Sequence, residues 1–96
     1  MSYEVRFSTR ATRQVRKLDP HIKKVVKERL EEALGSDPHG HPLLSGRYSG
    51  VRRFAFSTPA GEFRAAYTIR EDKERVIVVY VGPRENFYKE LQKYLR

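Results

Sequence analysis

The feature that most constrains this 96-residue chain is an almost unbroken apolar run near its C-terminal end, Val76-Ile77-Val78-Val79-Tyr80-Val81. A strand with water on one face alternates apolar and polar residues, whereas a strand covered on both faces is apolar throughout. We therefore predict a central strand with other elements packed on both sides of the sheet. Gly82 is expected to end it, and Pro83 to open a terminal helix. The apolar face of that helix would carry Phe87, Leu91, Tyr94 and Leu95.

The first part of the chain predicts a strand followed by two helices. Residues 3–7 alternate apolar and polar side chains, which indicates a half-buried strand. Ser8 or Thr9 can cap the first helix, whereas Asp19-Pro20 begins the second and Gly35 would end it. The apolar stripes are Ala11, Val15 and Leu18 in the first helix, and Ile22, Val25, Val26, Leu30, Ala33 and Leu34 in the second.

A loop and two further strands are expected before the central one. Residues 36–42 are rich in turn formers, and residues 58–61 form a hairpin turn. Phe54 and Phe56 share one face of the first strand, as do Phe63, Ala65, Tyr67 and Ile69 in the second. The order is strand, helix, helix, three antiparallel strands and helix, which predicts one α+β domain covering residues 1–96.

The balance of charge favours a polyanionic partner. Twenty Lys and Arg residues against 12 Asp and Glu give a formal net charge of +8. Such an excess favours nucleic acid, an acidic protein segment or an anionic surface, although a basic surface that only aids solubility is the simpler alternative. The chain contains no cysteine, shows no apolar signal-peptide region and has no run of about 20 apolar residues. We therefore expect a cytoplasmic protein without a membrane partner.

The alternation of side chains along the strands directs several functional groups to one surface. If the phenylalanines face the core, Arg53 and Arg64 project from the opposite side of the hairpin. Arg84 follows the central strand, and Tyr88 would lie one helical turn beyond it. Arginine clusters suit phosphate because the planar guanidinium forms bidentate hydrogen bonds and remains charged. Taken singly, each of these residues can also be an ordinary surface side chain.

Other candidate sites in the sequence are weaker. His39 and His41, with His21 elsewhere, are too few for an obvious zinc site, which needs three or four ligands, so no metal is expected. Tyr48 and Phe63 are candidates for stacking on RNA bases, although Phe63 is also explained as a core residue. No glycine-rich phosphate loop or nucleophilic triad pattern is present.

Three motifs in order make the chain resemble the RelE/ParE toxin superfamily over nearly its whole length. Leu44-Ser45-Gly46 is similar to the family's leucine-x-glycine before the hairpin. Gly61-Glu62-Phe63-Arg64-Ala65-Ala66-Tyr67 resembles the family's glycine, aromatic, arginine, two apolar residues and tyrosine. Val81-Gly82-Pro83-Arg84-Glu85-Asn86-Phe87-Tyr88 resembles its valine-glycine-x-arginine ending, with a tyrosine after it.

The resemblance implies a toxin of a type II toxin–antitoxin system, with a RelE-like fold. RelE-type toxins are ribosome-dependent endoribonucleases that cut mRNA, and an antitoxin protein wraps and neutralises them. The implied reaction needs no metal or other cofactor. Arg64 and Arg84 would hold the phosphate, Tyr88 would be an acid/base or base-stacking group, and Arg53 would occupy a position where RelE proteins often carry lysine. Contacts to mRNA or ribosomal RNA are expected from Arg47, Arg52, Arg53 and Lys89.

Two other functions stay open at this stage. RelE strands usually offer two basic residues at alternate positions, and here they would be Arg53 and Ala55. Arginine is also a poor proton acceptor, because its pKa lies above about 12, so the general base is unassigned. The missing cation is compatible with a ParE-like inhibitor that binds DNA gyrase without catalysis. A superfamily member that acts only as a protein-binding module is the third alternative.

Overall fold

The computed structural model of the protein describes residues 2–48 and 50–94, without the side chains of Arg47 and Tyr94. Leu95, expected on the apolar face of the terminal helix, lies outside the described residues. The strands are β1 (Glu4–Phe7), β2 (Arg52–Thr58), β3 (Gly61–Arg70) and β4 (Arg75–Pro83). The α-helices are α1 (Thr9–Arg16), α2 (Pro20–Ser36) and α3 (Phe87–Tyr94). Short 3₁₀ turns occupy Pro38–Gly40, Gly46–Tyr48 and Glu71–Lys73.

The four strands form one mixed sheet in the order β1-β4-β3-β2. β2, β3 and β4 are the predicted antiparallel meander, and β1 pairs with β4 in parallel. The prediction of an α+β class is therefore confirmed, as is the central position of β4. The register between β3 and β4 shifts by one residue after Ala66. The parallel pairing of β1 was not specified by the sequence pattern, because parallel strands are joined by long connections rather than by a recognisable turn.

The helical pair α1 and α2 covers one face of the sheet and forms the larger core. Ser8 caps α1 by accepting a hydrogen bond from the Ala11 amide at 3.1 Å, and Asp19 caps α2 by accepting one from His21 at 2.9 Å. Side chains from α1, α2 and the sheet meet in this core, among them Ala11, Val15, Val26, Leu30, Leu34, Phe54, Phe63, Tyr67, Val76 and Val78. The predicted caps are confirmed, and so are the stripes apart from two residues. Leu18 packs against this core but follows the end of α1 at Arg16, and Val25 is half-buried and is not part of the core. Within residues 2–48 and 50–94, no helix has the length and apolar character that a bilayer span requires.

The prediction that Gly35 ends the second helix is wrong by one residue, since α2 continues through Ser36. Gly35 is buried inside the helix, and its carbonyl oxygen accepts a hydrogen bond of 2.8 Å from the Tyr3 amide. A Cβ atom at position 35 would lie 3.4 Å from the Tyr3 carbonyl oxygen. The absence of a side chain at Gly35 therefore allows α2 to pack closely against the chain before β1, and the glycine does not terminate the helix.

The predictions at the end of the central strand are also wrong, because β4 continues through Gly82 and Pro83 and α3 begins only at Phe87. Gly82 pairs with Arg64 in the ladder, and a Cβ there would lie 2.5 Å from the Tyr80 hydroxyl oxygen. Proline has no N–H to donate to a neighbouring strand. Pro83 is tolerated because β1 pairs with β4 only as far as Val78, so there is no β1 partner beside Pro83 that would need this hydrogen bond.

The helix α3 covers the second face of the sheet. A turn through Asn86, whose φ is 66°, separates it from β4. Phe87 and Leu91 are buried against the sheet residues Ala66 and Tyr80 and form a smaller core. The predicted packing of the terminal helix is confirmed for these two residues. Because β4 is covered by α1 and α2 on one side and α3 on the other, its unbroken apolar sequence is explained.

Candidate phosphate-binding site

The antiparallel pairing of β2 and β3 places Arg53 and Arg64 on the same face of the sheet. Arg53 lies opposite Ala66, and Arg64 lies opposite Ala55. The two arginines are therefore diagonal neighbours, about 7–8 Å apart between their α carbons. This is the face that α3 partly covers, and the phenylalanines Phe54 and Phe56 point to the opposite core. The predicted alternation is confirmed for both strands.

Arg64 is the most constrained cation of this face. Its side chain is only 17% exposed, and its guanidinium carbon lies 5.9 Å from the centroid of the Phe87 ring. The Nε atom is buried and makes no hydrogen bond. A buried donor without a partner costs about 1–3 kcal/mol, so such groups are uncommon in folded proteins. Arg64 is thus held by the strand and the aromatic ring rather than by hydrogen bonds of its own Nε.

Glu62 connects Arg64 to Arg84. Its Oε2 atom lies 3.6 Å from the Nε of Arg64 and 3.9 Å from the Nε of Arg84. The Arg84 amide also donates a hydrogen bond of 2.9 Å to the Glu62 carbonyl oxygen. The side chain of Arg84 is 64% exposed, so it lies at the rim of the site. Glu62 was not among the functional residues predicted from the sequence, although its position two residues before Arg64 places it on the same face of the strand.

Tyr88 is brought to Arg53 rather than to Arg84. The Nη1 atom of Arg53 donates a hydrogen bond of 3.2 Å to the phenolic oxygen of Tyr88. The expected helical relation between Arg84 and Tyr88 is wrong, because Arg84 precedes the turn at Asn86 and lies outside α3. Tyr88 is nevertheless directed to the predicted surface, since its ring packs edge-on against Phe87 at 5.0 Å and its side chain is exposed.

A cleft of about 330 Å³ opens beside the contact between Arg53 and Tyr88. It is lined by Pro42, Leu43, Leu44, Ser45, Tyr48, Arg53 and Tyr88. The hydroxyl of Tyr48 is buried without a hydrogen-bond partner, and its ring lies 6.5 Å from that of Tyr88. Leu43 is the most exposed large apolar side chain among the described residues, at 57%. The cleft therefore combines apolar and aromatic walls with one cation.

A family model for the ParE-like toxin of type II bacterial toxin–antitoxin systems matches residues 5–92. The chain belongs to this family. The toxin RelG of Mycobacterium tuberculosis is 33% identical to it, over 93% of this chain and 99% of that protein. The resemblance to the RelE/ParE superfamily is thereby confirmed.

Solved structures agree with the assignment to the ParE-like toxin family. The toxin–antitoxin complex RelBE2 from Mycobacterium tuberculosis matches with a TM-score of 0.77 and 28% identity, over 88% of this chain and 93% of that chain. The isolated RelE toxin of Escherichia coli matches with a TM-score of 0.66 and 25% identity, over 96% and 97% of the two chains. The fold and the membership of type II toxins thus rest on both sequence and structure.

The remaining residues expected to bind RNA are not all brought to this face of the toxin. Arg52 donates hydrogen bonds from Nη1 to the carbonyl oxygens of His39 and His41, at 3.1 and 2.7 Å. It therefore holds the loop before β2 instead of joining Arg53. Lys89 is exposed on α3 beside Tyr88. The backbone of Arg47 lies in the 3₁₀ turn that borders the cleft, but its side chain lies outside the described part of the chain.

Two histidines of the ParE-like toxin, His39 and His41, make contacts within the fold. The Nε2 atom of His39 lies 2.9 Å from Glu71, and this hydrogen bond holds the pKa of the Glu71 carboxyl below its usual value. The His41 ring packs at 4.8 Å from that of Phe54. Within residues 2–48 and 50–94, no three histidine, aspartate or glutamate side chains are grouped as a metal site. Phe63 is 4% exposed in the larger core, which confirms its interpretation as a core residue rather than as one that stacks on bases.

Proposed function

We propose that this toxin is a ribosome-dependent endoribonuclease that cleaves mRNA by metal-free transphosphorylation and so inhibits translation. The observation that carries the proposal is the grouping of Arg53, Arg64, Arg84 and Tyr88 on one face of the sheet. Arg64 packs over the Phe87 ring and is joined through Glu62 to Arg84, and Arg53 is hydrogen-bonded to Tyr88. Fixed cations beside a phenol suit a reaction in which negative charge develops on a phosphate.

The proposed reaction is an attack by the RNA 2′-hydroxyl on the adjacent phosphorus. A base takes the proton of the 2′-hydroxyl while a bond forms between O2′ and phosphorus. The bond from phosphorus to O5′ breaks, and the products are a 2′,3′-cyclic phosphate and a 5′-hydroxyl. Arg64 and Arg84 neutralise the charge on the non-bridging oxygens. Tyr88 donates its proton to the leaving O5′, because its oxygen already accepts a hydrogen bond from Arg53 and its own proton is available.

The cleft beside Arg53 supports recognition of RNA next to the reacting phosphate. Its walls include the rings of Tyr48 and Tyr88 and the exposed side chain of Leu43. Aromatic and apolar surfaces of this kind stack on unpaired bases, which single-stranded mRNA provides. The net charge of +8 favours association with ribosomal and messenger RNA, and Lys89 adds a cation beside Tyr88. Ribosomes and mRNA place this activity in the cytoplasm.

A cognate antitoxin is the proposed protein partner. The similar structure from Mycobacterium tuberculosis is a toxin–antitoxin complex. An acidic antitoxin would complement the net charge of +8 and associate more slowly as the salt concentration rises. Coexpression with a candidate antitoxin, followed by size-exclusion chromatography, tests this proposal.

Translation in a purified system with a defined mRNA tests the proposed reaction. Primer extension should map discrete breaks inside ribosome-bound codons, and the same mRNA without ribosomes should stay intact. A chemical test of the cut ends should find a 2′,3′-cyclic phosphate and a 5′-hydroxyl. Intact mRNA in the presence of folded, antitoxin-free toxin would contradict the nuclease assignment.

One observation favours a second candidate function, a ParE-like inhibitor of DNA gyrase. Ala55 lies opposite Arg64 and is exposed, so the position of the second expected cation carries a methyl group. A site with fewer cations suits binding better than phosphate chemistry. A supercoiling assay with purified gyrase separates the two functions. Inhibition at stoichiometric toxin, together with intact mRNA, would favour the gyrase inhibitor, whereas unaffected supercoiling at high toxin excess would exclude it.

A further inference from the structure

The carboxylate of Glu62 lies between two arginines but forms no short hydrogen bond with the Nε atom of either. Its distances to the Nε atoms of Arg64 and Arg84 are 3.6 and 3.9 Å. A short charge-assisted hydrogen bond measures about 2.7–2.9 Å, so both contacts are ion pairs rather than such bonds. The side chain is 39% exposed. An RNA hydroxyl can therefore approach the carboxylate from solvent.

The position of Glu62 is set by rigid parts of the fold. The residue pairs with Ser57 across the β2–β3 ladder, and its carbonyl oxygen accepts the hydrogen bond from the Arg84 amide. Residues two apart on a strand project from the same face, about 7 Å apart. The carboxylate therefore projects from the same surface as Arg64, and the hydrogen bond from the Arg84 amide holds the Glu62 backbone from the other side.

The proposed cleavage needs a proton acceptor, and the cations of the site cannot supply one. Guanidinium groups hold their protons up to a pH of about 12. The phenol of Tyr88 accepts a hydrogen bond from Arg53, which favours proton donation to the leaving group. Among the described residues, Glu62 is the carboxylate that forms ion pairs with these arginines. An ionised carboxylate is a ready acceptor for a hydroxyl proton.

We propose that Glu62 is the general base of the cleavage reaction, an inference that rests on the proposed nuclease function. Its carboxylate takes the proton of the 2′-hydroxyl while O2′ forms its bond to phosphorus. Tyr88 gives its proton to O5′ as the phosphorus–O5′ bond breaks. After product release, Glu62 loses the acquired proton to water and Tyr88 regains one, so protons balance over a turnover. Arg64 and Arg84 hold the carboxylate and the phosphate side by side.

Single-turnover cleavage on programmed ribosomes tests the inference with a matched pair of variants. Glu62→Gln removes the proton acceptor and keeps the shape of the side chain. Glu85→Gln removes the same charge from an exposed position next to Arg84. We expect Glu62→Gln to lower the cleavage rate by about 10²–10⁴-fold, the usual contribution of a general base. Glu85→Gln should cleave at nearly the wild-type rate, and both should bind ribosomes carrying a 2′-deoxy mRNA like the wild type.

A modified mRNA separates the base from the acid. Replacing the bridging O5′ at the cut with sulfur gives a leaving group that needs no protonation, because thiolates are far weaker bases than alkoxides. This substrate should restore cleavage by Tyr88→Phe and leave Glu62→Gln slow. Rescue of Glu62→Gln by the sulfur substrate would overturn the assignment as base.

The other outcomes are equally decisive. If the wild type cleaves mRNA and Glu62→Gln cleaves it equally fast or faster, the inference is overturned but the nuclease function is not. Glu62 would then serve only as an ion-pair partner of the arginines until phosphate binds. A wild-type protein that cuts no mRNA overturns the nuclease function, and the inference falls with it.

If circular dichroism shows that Glu62→Gln is unfolded, Glu62→Asp replaces it. That variant keeps the charge but withdraws the carboxylate by one methylene, and we expect a loss of roughly 10²-fold; an unchanged rate would overturn the inference.

Discussion

Arg53 of β2 and Tyr88 of α3, 35 positions apart in the sequence, are joined by a hydrogen bond of 3.2 Å from Nη1 to the phenolic oxygen. This contact crosses from the sheet to the helix that covers its second face. It leaves the phenolic proton directed away from Arg53, because the phenolic oxygen is the acceptor. The terminal helix is thereby tied to the arginine surface on which the proposed chemistry depends.

Removing the phenolic hydroxyl of Tyr88 tests its proposed role as the acid. Tyr88→Phe should lower mRNA cleavage by about 10²–10⁴-fold, since a positioned general acid contributes about that much. The ring still packs against Phe87, so the fold should be retained. Tyr3→Phe is the matched control, because Tyr3 contacts Glu71 and not the arginines. Equal cleavage by the two variants would remove Tyr88 from the mechanism.

The two arginines beside Glu62 should differ in their effects on stability. Arg84→Ala and Arg64→Ala should each lower cleavage by about 10²–10³-fold, the usual effect of losing one donor to developing charge. Only Arg64→Ala should also lower the melting temperature, because its side chain is 17% exposed and packs over Phe87, whereas Arg84 is 64% exposed. Arg70→Ala, an exposed position on the same strand, serves as the control. Full cleavage by Arg84→Ala would contradict the phosphate site.

The anchoring of α3 should matter for activity beyond its contribution to stability. Leu91→Ala and Leu34→Ala each remove a fully buried leucine, at an expected cost of about 2–5 kcal/mol in the free energy of unfolding. Leu91 holds α3, which carries Tyr88, whereas Leu34 lies in the core on the opposite face. Assayed well below both melting temperatures, Leu91→Ala should cleave more slowly and Leu34→Ala should not. Equal cleavage rates would show that the position of α3 does not limit the reaction.

The buried hydroxyl of Tyr67 gives the fold a dependence on alkaline pH. It donates a hydrogen bond of 2.6 Å to the Pro38 carbonyl oxygen, and burial raises the pKa of Tyr67 to about 12. In the unfolded chain the pKa of tyrosine is about 10. The neutral form is therefore favoured by folding, and its contribution is complete below pH of about 10 and is lost as the pH rises through about 12.

Tyr67→Phe checks this dependence by urea denaturation at several pH values. At neutral pH the variant should be less stable by about 1 kcal/mol, the net value of one hydrogen bond. The difference between wild type and variant should shrink as the pH rises above about 10, because the wild type loses the contribution that the variant lacks. A difference that stays constant up to pH 12 would show that Tyr67 does not titrate in this way.

Local patterns in the sequence predicted most of the helices and strands of this toxin and the common face of two residues of its site, Arg53 and Arg64. The caps at Ser8 and Asp19, the helical stripes and the alternation in β2 and β3 all arise from interactions between residues close in the chain. The same alternation placed Arg53 and Arg64 on one face. The unbroken apolar run predicted that β4 is central, because only burial on both faces explains it.

The tertiary structure decided what depends on contacts between distant residues. β4 continues through Gly82 and Pro83 because both residues pair with β3, and this extension delays α3 and separates Arg84 from Tyr88. Long-range pairing likewise brings Glu62 between Arg64 and Arg84. Periodicity assigns a side chain to a face, but it does not specify which distant group faces it, because that is set by the packing of whole elements.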